Sequence, residues 1–481
     1  MKITRVKKLD WRGIDSVVIP VFQEPVPESL WRQFPELKSF LTEKKMHGKS
    51  GEEFVFHSLS QGRWLIVQGA GKAGDLIAAR KLAKKTIANL QGIKSRSALI
   101  YLAAGSPPDR EWLITFIDYL WLNRYRFDRY RHKKETPLQR IRLFLPRGTS
   151  LTASLIRERA LLEANVSLVR DLVNDIPALI NPDSMVETSR RLAAAGGMTI
   201  TVWRRPELEQ HGMNGLLAVG GDACCQPALV QMEYAPAGYR RTVAVVGKGI
   251  TFDAGGLNIK TGDNMEEMKS DMAGAAVVLA VLKSAAELRL PVRLFGLAAI
   301  AENMPAAKAY KPGDIIRYAN RKNVEVVNTD AEGRLILADA LIVAARLKPD
   351  LIVEFSTLTG AIVTALGDSL AGLMCRNRKL AAQLLKAGER SGELLWELPL
   401  FGEYEESISS KIADLKNANY NGASSLKAGL FLNEFTAKVP FAHLDIAGTA
   451  FLSKPNYCLA TEGATGFGVR MMIDFLKAAA G

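Results

Sequence analysis

Three short stretches of the chain set carboxylates and cations among glycines. The first is Val246-Gly247-Lys248-Gly249-Ile250-Thr251-Phe252-Asp253-Ala254-Gly255-Gly256, with Lys260 shortly after. The second is Met268-Lys269-Ser270-Asp271, and the third is Asn328-Thr329-Asp330-Ala331-Glu332-Gly333-Arg334-Leu335. Glycine lets backbone approach an ion closely. Gathered in one place, Asp253, Asp271, Asp330 and Glu332 would repel one another and drive their own pKa values up. Metal ions relieve that repulsion, and carboxylate oxygen suits Mg, Mn and Zn. Four carboxylates exceed what one catalytic Zn uses, so a two-ion site is the better expectation. Two ions about 3.5–4 Å apart can share a bridging hydroxide and hold both sides of a hydrolytic displacement. Lys260 and Arg334 would add positive charge where an oxyanion develops, one such donor being worth about 2.7–4 kcal/mol. Plainer readings stay open at this point. Asp-Gly and Glu-Gly clusters are often only turns, Asp330 and Glu332 could be helix N-terminal charges, and a two-metal phosphoesterase would use carboxylates too.

Strand and helix patterns alternate around these stretches. Val17 to Phe22, Trp64 to Gln68 and Ala98 to Ala103 have strand character, and Asp75 to Gln91 reads as a helix, which suggests a βαβ unit. Turn and cap signals follow in Asn174-Asp175-Ile176-Pro177 and Asn181-Pro182-Asp183-Ser184. In the second part, Thr242 to Val246 is a buried-type strand running into a Gly-rich loop. Gly274 to Leu288 reads as a helix, Val292 to Ala299 and Glu325 to Asn328 as strands, Leu335 to Leu347 as a helix and Leu351 to Phe355 as a strand. The expected fold class is α/β in two domains: a smaller N-terminal α/β domain (1–160), a linker (161–180) and a larger catalytic α/β domain (181–481). The latter would have a mixed central sheet flanked by helices. Ligands in such sheets sit outside the carboxyl ends of strands.

Composition narrows the class. At 481 residues, two domains are the better prior, and 48% hydrophobic with 23% charged residues is ordinary for a globular protein. No apolar h-region follows the polar N-terminus, so no secretory signal is expected. The most apolar stretches end at Lys283 and Asp368, short of the ~18 uncharged residues that a spanning helix needs. Cys224, Cys225, Cys375 and Cys458 show neither CxxC spacing nor disulfide density, which fits a reducing cytoplasm. The net charge of +13 admits nucleic-acid contact but is read first as surface lysine and arginine.

The segment Asn328 to Leu335 resembles the signature of the leucyl aminopeptidase (cytosol aminopeptidase) family. Gly247 to Asp253, Met268 to Met272, Glu302 to Pro305, Ala309 to Asp314, Thr357 to Gly360 and His443 to Gly448 resemble family segments in family order, and Tyr125 to Tyr130 does so earlier. The resemblance spans nearly the whole chain. It implies a metal-dependent aminopeptidase that hydrolyses the N-terminal peptide bond of peptide substrates through a metal-bridging water. Residues matching Lys248, Asp253, Asp271 and Glu332 hold the tightly bound ion. Those matching Asp253, Asp330 and Glu332, with the Asp330 carbonyl, hold the exchangeable one. The ions would be Mn or Zn, with Mg also admissible. A lysine ligand must be neutral, and burial beside a divalent cation supplies that depression of its pKa. The residue matching Lys260 polarises the scissile carbonyl, and the one matching Arg334 holds a bicarbonate that acts as general base. Met268, Thr357, Gly360, Ala447 and Ala450 would form the side-chain pocket. These are small or apolar, for a leucine-like but broad preference. The resemblance also implies a cytoplasmic homohexamer.

Other features carry less. Gly69-Ala70-Gly71-Lys72-Ala73-Gly74 fits a dinucleotide fingerprint, but no Asp or Glu occurs from Leu76 to Pro108, where an acidic partner belongs. Ser424-Ser425-Leu426-Lys427 fits SxxK without its partner motifs. HExxH is absent, and His443 is read as structural. Cys224-Cys225 is read as inert. The basic, aromatic-interleaved segment Arg124 to Arg142 keeps a DNA-binding accessory role alive as the alternative function.

Overall fold

The structure is a computed structural model. It describes all residues except 24–27, 44–45, 59–61, 104–107, 133–137, 147, 150, 222, 264 and 481. The chain forms two compact units, Met1–Glu163 with Lys454–Glu462, and Ala164–Ser453 with Gly463–Gly481. The first division falls inside the helix Ala153–Asn174. Most of the stretch 161–180 expected as linker is therefore helix. Buried Leu162, Val166, Val169 and Val173 recur at helical spacing, and the turn signals begin only at Asn174. The capping box at Asn181, whose Oδ1 accepts from Ser184 N at 3.0 Å, then starts the helix Pro182–Gly196.

The first unit is built on β1 (Lys2–Val6), β2 (Ser16–Phe22), β3 (Glu53–Ser58), β4 (Arg63–Gly71), β5 (Ser97–Tyr101) and β6 (Arg140–Phe144). Their order is β1-β6-β5-β2-β4-β3, parallel except for β3 against β4. Every residue of β2 is buried, as a strand covered on both faces requires. The helix Leu76–Gly92 is the crossover between β4 and β5. Asp75 caps it, accepting from Ile77 N at 2.9 Å and Ala78 N at 3.0 Å. The excursion Lys454–Glu462 joins this unit through Lys84 Nζ to Asn456 O (2.6 Å), Arg80 to the Tyr457 hydroxyl (3.2 Å) and Asn123 Nδ2 to Cys458 O (2.9 Å).

The strands of the second unit are β7 (Thr199–Trp203), β8 (Ala228–Tyr234), β9 (Thr242–Asp253), β10 (Arg293–Asn303), β11 (Ile315–Arg317), β12 (Asn323–Glu325), β13 (Leu351–Ser356), β14 (Ala371–Cys375), β15 (Leu395–Glu397), β16 (Leu415–Lys416) and β17 (Phe441–Asp445), with a short closing pair from Phe451–Leu452 and Gly463–Ala464. The main sheet is ordered β15-β14-β17-β13-β9-β10-β8-β7. Its centre, β17-β13-β9-β10, is parallel, and β14 and β8 run antiparallel beside it. The sheet is mixed. A smaller sheet, β11-β12-β16, accompanies it.

Alternation along the central strands feeds both faces. Ala244, Val246, Phe295 and Leu297 share a core with the helix Gly333–Arg346. Gly247 and Gly296 instead face the helix Ala273–Leu288, where added Cβ atoms would lie 2.4 Å from Gly274 O and 2.5 Å from a Leu282 methyl. Here the structure departs from expectation, because β9 continues through the Gly-rich segment to Asp253. Gly247 thins the strand so that helix backbone can lie against it, Gly249 leaves room for Ala299 O of β10 and the Ala275 methyl, and Gly255 and Gly256, at φ +91° and +64°, make the true turn.

Gly274→Ala would set a Cβ 2.1 Å from Phe355 O and 2.9 Å from Lys248 N, both backbone atoms. The expected cost is about 1–3 kcal/mol, read as a lowered denaturant midpoint. Asp75→Ala, which removes only a cap, should cost about 1 kcal/mol.

Candidate active site

The carboxyl ends of β9, β10, β13 and β17 bring Asp253, Asn303, Thr357 and Asp445 to one edge of the sheet. Asp253 ends β9, and its Oδ1 accepts from Gly255 N at 2.9 Å and Asn303 Nδ2 at 2.8 Å. Asp330 and Glu332 lie on the loop that enters the helix Gly333–Arg346. Glu332 stands at the N-cap position without making a side-chain cap. Its carboxylate instead meets Lys248 Nζ at 2.8 Å. The same Nζ meets Asp271 at 2.7 Å and donates to Thr357 O at 3.1 Å. Lys260 Nζ sits 2.8 Å from Asp253 and 2.6 Å from Asp330. Ligand oxygens of Asp253, Asp330 and Glu332 lie within 4.8 Å of one another. The structure thus brings together Lys248, Asp253, Lys260, Asp271, Asp330 and Glu332.

Two glycines make this convergence possible. A Cβ at Gly333 would lie 2.5 Å from Lys248 Cε, and one at Gly255 would lie 3.0 Å from Asp330 Oδ1.

The electrostatics follow from burial. Lys248, Asp253, Asp271 and Glu332 are buried, while Lys260 keeps 24% of its side chain exposed. Burial pushes the Asp271 carboxyl up to about 8, against the pull of Lys248. Burial also raises Glu332 and Asp330, and Asp253 adds to both. For Lys248, burial acts downward, but Asp271, Glu332 and Asp253 outweigh it and hold the amine protonated. Lys260 is raised in the same way by Asp253 and Glu332. Four carboxyl groups face two ammonium groups, and even with Asp271 neutral the other three, when ionised, leave a surplus of negative charge in a largely buried site.

Arg334 stands apart from the carboxylate contacts. It is buried, and burial lowers its guanidinium to about 10. Its Nη1 donates to Asn417 O at 2.6 Å, and its Nε has no partner among the described residues. Of the expected pocket residues, Thr357 is tied to the cluster by Oγ1 to Asp271 Oδ1 at 2.7 Å. Met268 precedes Asp271 on one turn, its carbonyl accepting from Asp271 N at 3.3 Å. Gly360 opens the helix Gly360–Leu366, which packs on the short helix Ala447–Ala450. Asp445 links the two, accepting from Leu358 N at 3.1 Å, Thr359 Oγ1 at 2.7 Å and Ala447 N at 3.3 Å. Gly360 is exposed and Ala450 buried.

Some supporting residues escape sequence reasoning. Asn258 Oδ1 accepts from Thr329 N at 2.9 Å, Asn303 Nδ2 donates to Thr329 O at 3.0 Å, and the Tyr310 hydroxyl donates to the same carbonyl at 2.7 Å. Asn303 and Tyr310 lie in segments that resemble the family. Asn258 and Asn417 lie in none, and only the fold reveals them.

Two family models match the chain. The cytosol aminopeptidase family, catalytic domain, covers residues 167–473, and the N-terminal domain of the same family covers residues 18–134. The chain belongs to the cytosol aminopeptidase family. A probable cytosol aminopeptidase of Geobacter sp. (strain M21) is 40% identical over 443 residues, 90% of each chain. The cytosol aminopeptidase of Pseudomonas aeruginosa PAO1 is 37% identical over 92% of this chain and 90% of its own. Among solved structures, the bottromycin maturation enzyme BotP in complex with Mn superposes with TM-score 0.86 at 31% identity, over 98% of this chain and 100% of that one. A tomato leucine aminopeptidase mutant gives TM-score 0.89 at 29% identity, over 99% and 96%. The protein is a metal-dependent aminopeptidase, and nothing in these matches favours the DNA-binding alternative.

The remaining motifs find structural employment in this family member. Gly69 lies near the end of β4, where a Cβ would lie 1.9 Å from Lys49 O, and Gly71, which ends the strand, and Gly74 adopt φ +76° and +80°. Asp75 then occupies the helix N-terminus that a pyrophosphate would need. His443 is buried with Nδ1 2.5 Å from Glu354, which raises its pKa against the effect of burial. Ser425 Oγ bonds Thr359 Oγ1 at 2.6 Å, and Lys427 Nζ donates to Asn421 O at 3.2 Å. Cys224 is exposed and Cys225 half-buried, its thiol pushed up to about 11 by burial and nearby Glu302. Of the basic segment Arg124 to Arg142, residues 133–137 lie outside the described residues. Arg124 donates to Leu138 O at 3.0 Å, and Arg126 to Asn123 O at 3.0 Å and to Gln91 at 2.5 Å.

Lys248→Met should leave Asp271 and Glu332 without their shared ammonium. In chelator at pH 7, urea unfolding is expected to show a loss of about 3–5 kcal/mol. An unchanged midpoint would mean that Lys248 does not balance this charge.

Proposed function

We propose that the cluster is a two-ion peptidase centre for N-terminal residues with leucine-like side chains. The observation that carries this reading is the convergence of Asp253, Asp330 and Glu332 oxygens within 4.8 Å, with Lys248 joined to Glu332 and Asp271 joined through Lys248. The donor set fits divalent cations, because its surplus negative charge and oxygen ligands are what hard and borderline ions take. Asp253, Asp271 and Glu332 would hold one ion, with Lys248 as a further ligand once its carboxylate partners turn to the incoming cation and its proton is displaced. Asp253, Asp330 and Glu332, with the Asp330 carbonyl, would hold the other. Manganese is the favoured ion, supported by the Mn complex of BotP, with Zn and Mg as alternatives. Bound there, divalent cations supply Lewis acidity, polarising a scissile carbonyl and lowering the pKa of a water.

The chain's own groups divide the remaining work. Lys260 is the partly exposed cation of the cluster, held between Asp253 and Asp330 and free to turn one N–H toward a substrate carbonyl. Its charge favours the oxygen on which negative charge develops, and Lys260→Ala should lower kcat by about 10²–10³. Arg334 keeps an unpartnered Nε–H while Asn417 O holds one terminal nitrogen. That is a prepared donor for a small planar anion, and we assign it to bicarbonate acting as general base. Met268, Thr357, Gly360, Ala447 and Ala450 would admit the side chain. Small, apolar surroundings discriminate weakly between aliphatic side chains, about 1–3 kcal/mol per methylene, so the preference should be broad.

We further assign a cytoplasmic homohexamer. Trp396, Phe401, Ile412 and Tyr420 are 52–72% exposed, and we assign them to the subunit contact. All four cysteines are free, as a reducing compartment would keep them. No helix among the described residues is long and apolar enough to cross a membrane.

Release of p-nitroaniline from leucine p-nitroanilide tests the assignment. Metal-stripped protein should be inactive, and Mn, Zn or Mg should restore turnover. Glu332→Ala should abolish restored turnover while leaving the circular dichroism spectrum intact. A near-normal rate in that variant would remove Glu332 from the centre.

A further inference from the structure

We propose that Asn417 is a positioning residue for the metal centre, holding the ion-binding Asp330 through the backbone on either side of it. The inference rests on the reading of Asp253, Asp330 and Glu332 as ion ligands. Asn417 follows β16, and the register of Val324 with Leu415 and Glu325 with Lys416 carries it to the end of β12. Its backbone N–H donates to Glu325 O at 3.0 Å. The residue is wholly buried.

Its side chain then meets four backbone groups of the carboxylate loop. Oδ1 accepts from Val327 N at 2.7 Å and Asn328 N at 3.2 Å. Nδ2 donates to Asn328 O at 2.7 Å and Ala331 O at 3.3 Å. These bonds bracket Asp330, two residues before it and one after. The Asn417 carbonyl also accepts from Arg334 Nη1 at 2.6 Å. One residue therefore fixes both the backbone that carries Asp330 and the setting of Arg334. Among the described residues, none of these hydrogen bonds reaches Lys248 or Asp271.

The chemistry of an amide is required here. Only a planar group with two donors on one side and an acceptor on the other meets all four partners. Aspartate keeps the shape but brings a carboxylate against two carbonyl oxygens. Alanine leaves four backbone groups unmet in a buried site. Groups that orient metal ligands from outside typically govern affinity by about 10–100-fold.

The test uses metal-free full-length protein, titrated calorimetrically with Mn²⁺, as wild type, Asn417→Asp and Asn417→Ala, with circular dichroism to establish folding. The variants should keep the tighter Mn²⁺ class and lose about 10–100-fold in the weaker one. Equal loss in both classes would overturn the proposal, since it would signal general damage. So would wild-type affinity in both classes of a folded variant. Where Asn417→Ala fails to fold, the isosteric Asn417→Asp decides. A wild type that binds no Mn²⁺ would remove the metal reading itself, a result visible without any variant.

Discussion

The structure depends on a charge imbalance kept out of water. Four carboxylates converge at the sheet edge, and two lysines answer them. Burial alone would drive these acids toward their neutral forms, as the raised Asp271 and Glu332 pKa values show. The lysines stabilise the ionised arrangement only in part. A site of this kind gains from further positive charge, and a peptidase needs that charge in a form that also acts as a Lewis acid. Lys248 and Lys260 divide the cluster between them, one buried between Asp271 and Glu332, the other partly exposed between Asp253 and Asp330.

Holding like charges together requires stiff surroundings. The acids do not sit on one flexible loop. Asp253 ends a long, largely buried strand at the centre of the sheet, and Asp271 lies one residue before the buried turn into the helix Ala273–Leu288. Glu332 enters a helix whose first twelve residues are all buried. Three rigid elements thus deliver one acid each, and their approach distance is set by residues without side chains. Gly247 and Gly274 bring the helix Ala273–Leu288 onto β9, and Gly333 makes room for the Lys248 stem. Repulsion among the acids is resisted by the apolar packing of the whole unit, so the core and the site are parts of one energetic arrangement.

Much of this was legible in the chain. Strands and helices with clear periodicity, such as Val17 to Phe22 or Asp75 to Gln91, fall within a residue or so of the observed elements. The charged residues among glycines stood out because glycine and carboxylate together are uncommon inside apolar runs. The segment Gly247 to Asp253 was harder. Its glycines carry a turn signal, yet they lie in a strand because helix backbone needs the space, and that space is a tertiary fact. The excursion Lys454–Glu462, which belongs to the first unit, was likewise invisible, because its partners Lys84, Arg80 and Asn123 lie hundreds of residues away. The same holds for Asn258 and Asn417. A single asparagine has no periodicity, and its worth is set by what the fold brings against it.

The small sheet β11-β12-β16 makes sense in these terms. It is too short to add much core of its own, and a strand pair of this length is marginal in isolation. What it does is fix a register across a long sequence separation, so that Asn417 arrives at the signature loop with its amide aligned. The loop is then gripped from two sides. Asn258, Asn303 and Tyr310 reach Thr329 from the β9 and β10 side, and Asn417 reaches Asn328 and Ala331 from the other. Neutral hydrogen bonds do this work, since any further charge would disturb the balance of the cluster. Amides and a hydroxyl can therefore hold acidic residues in place without altering the field that those acids create.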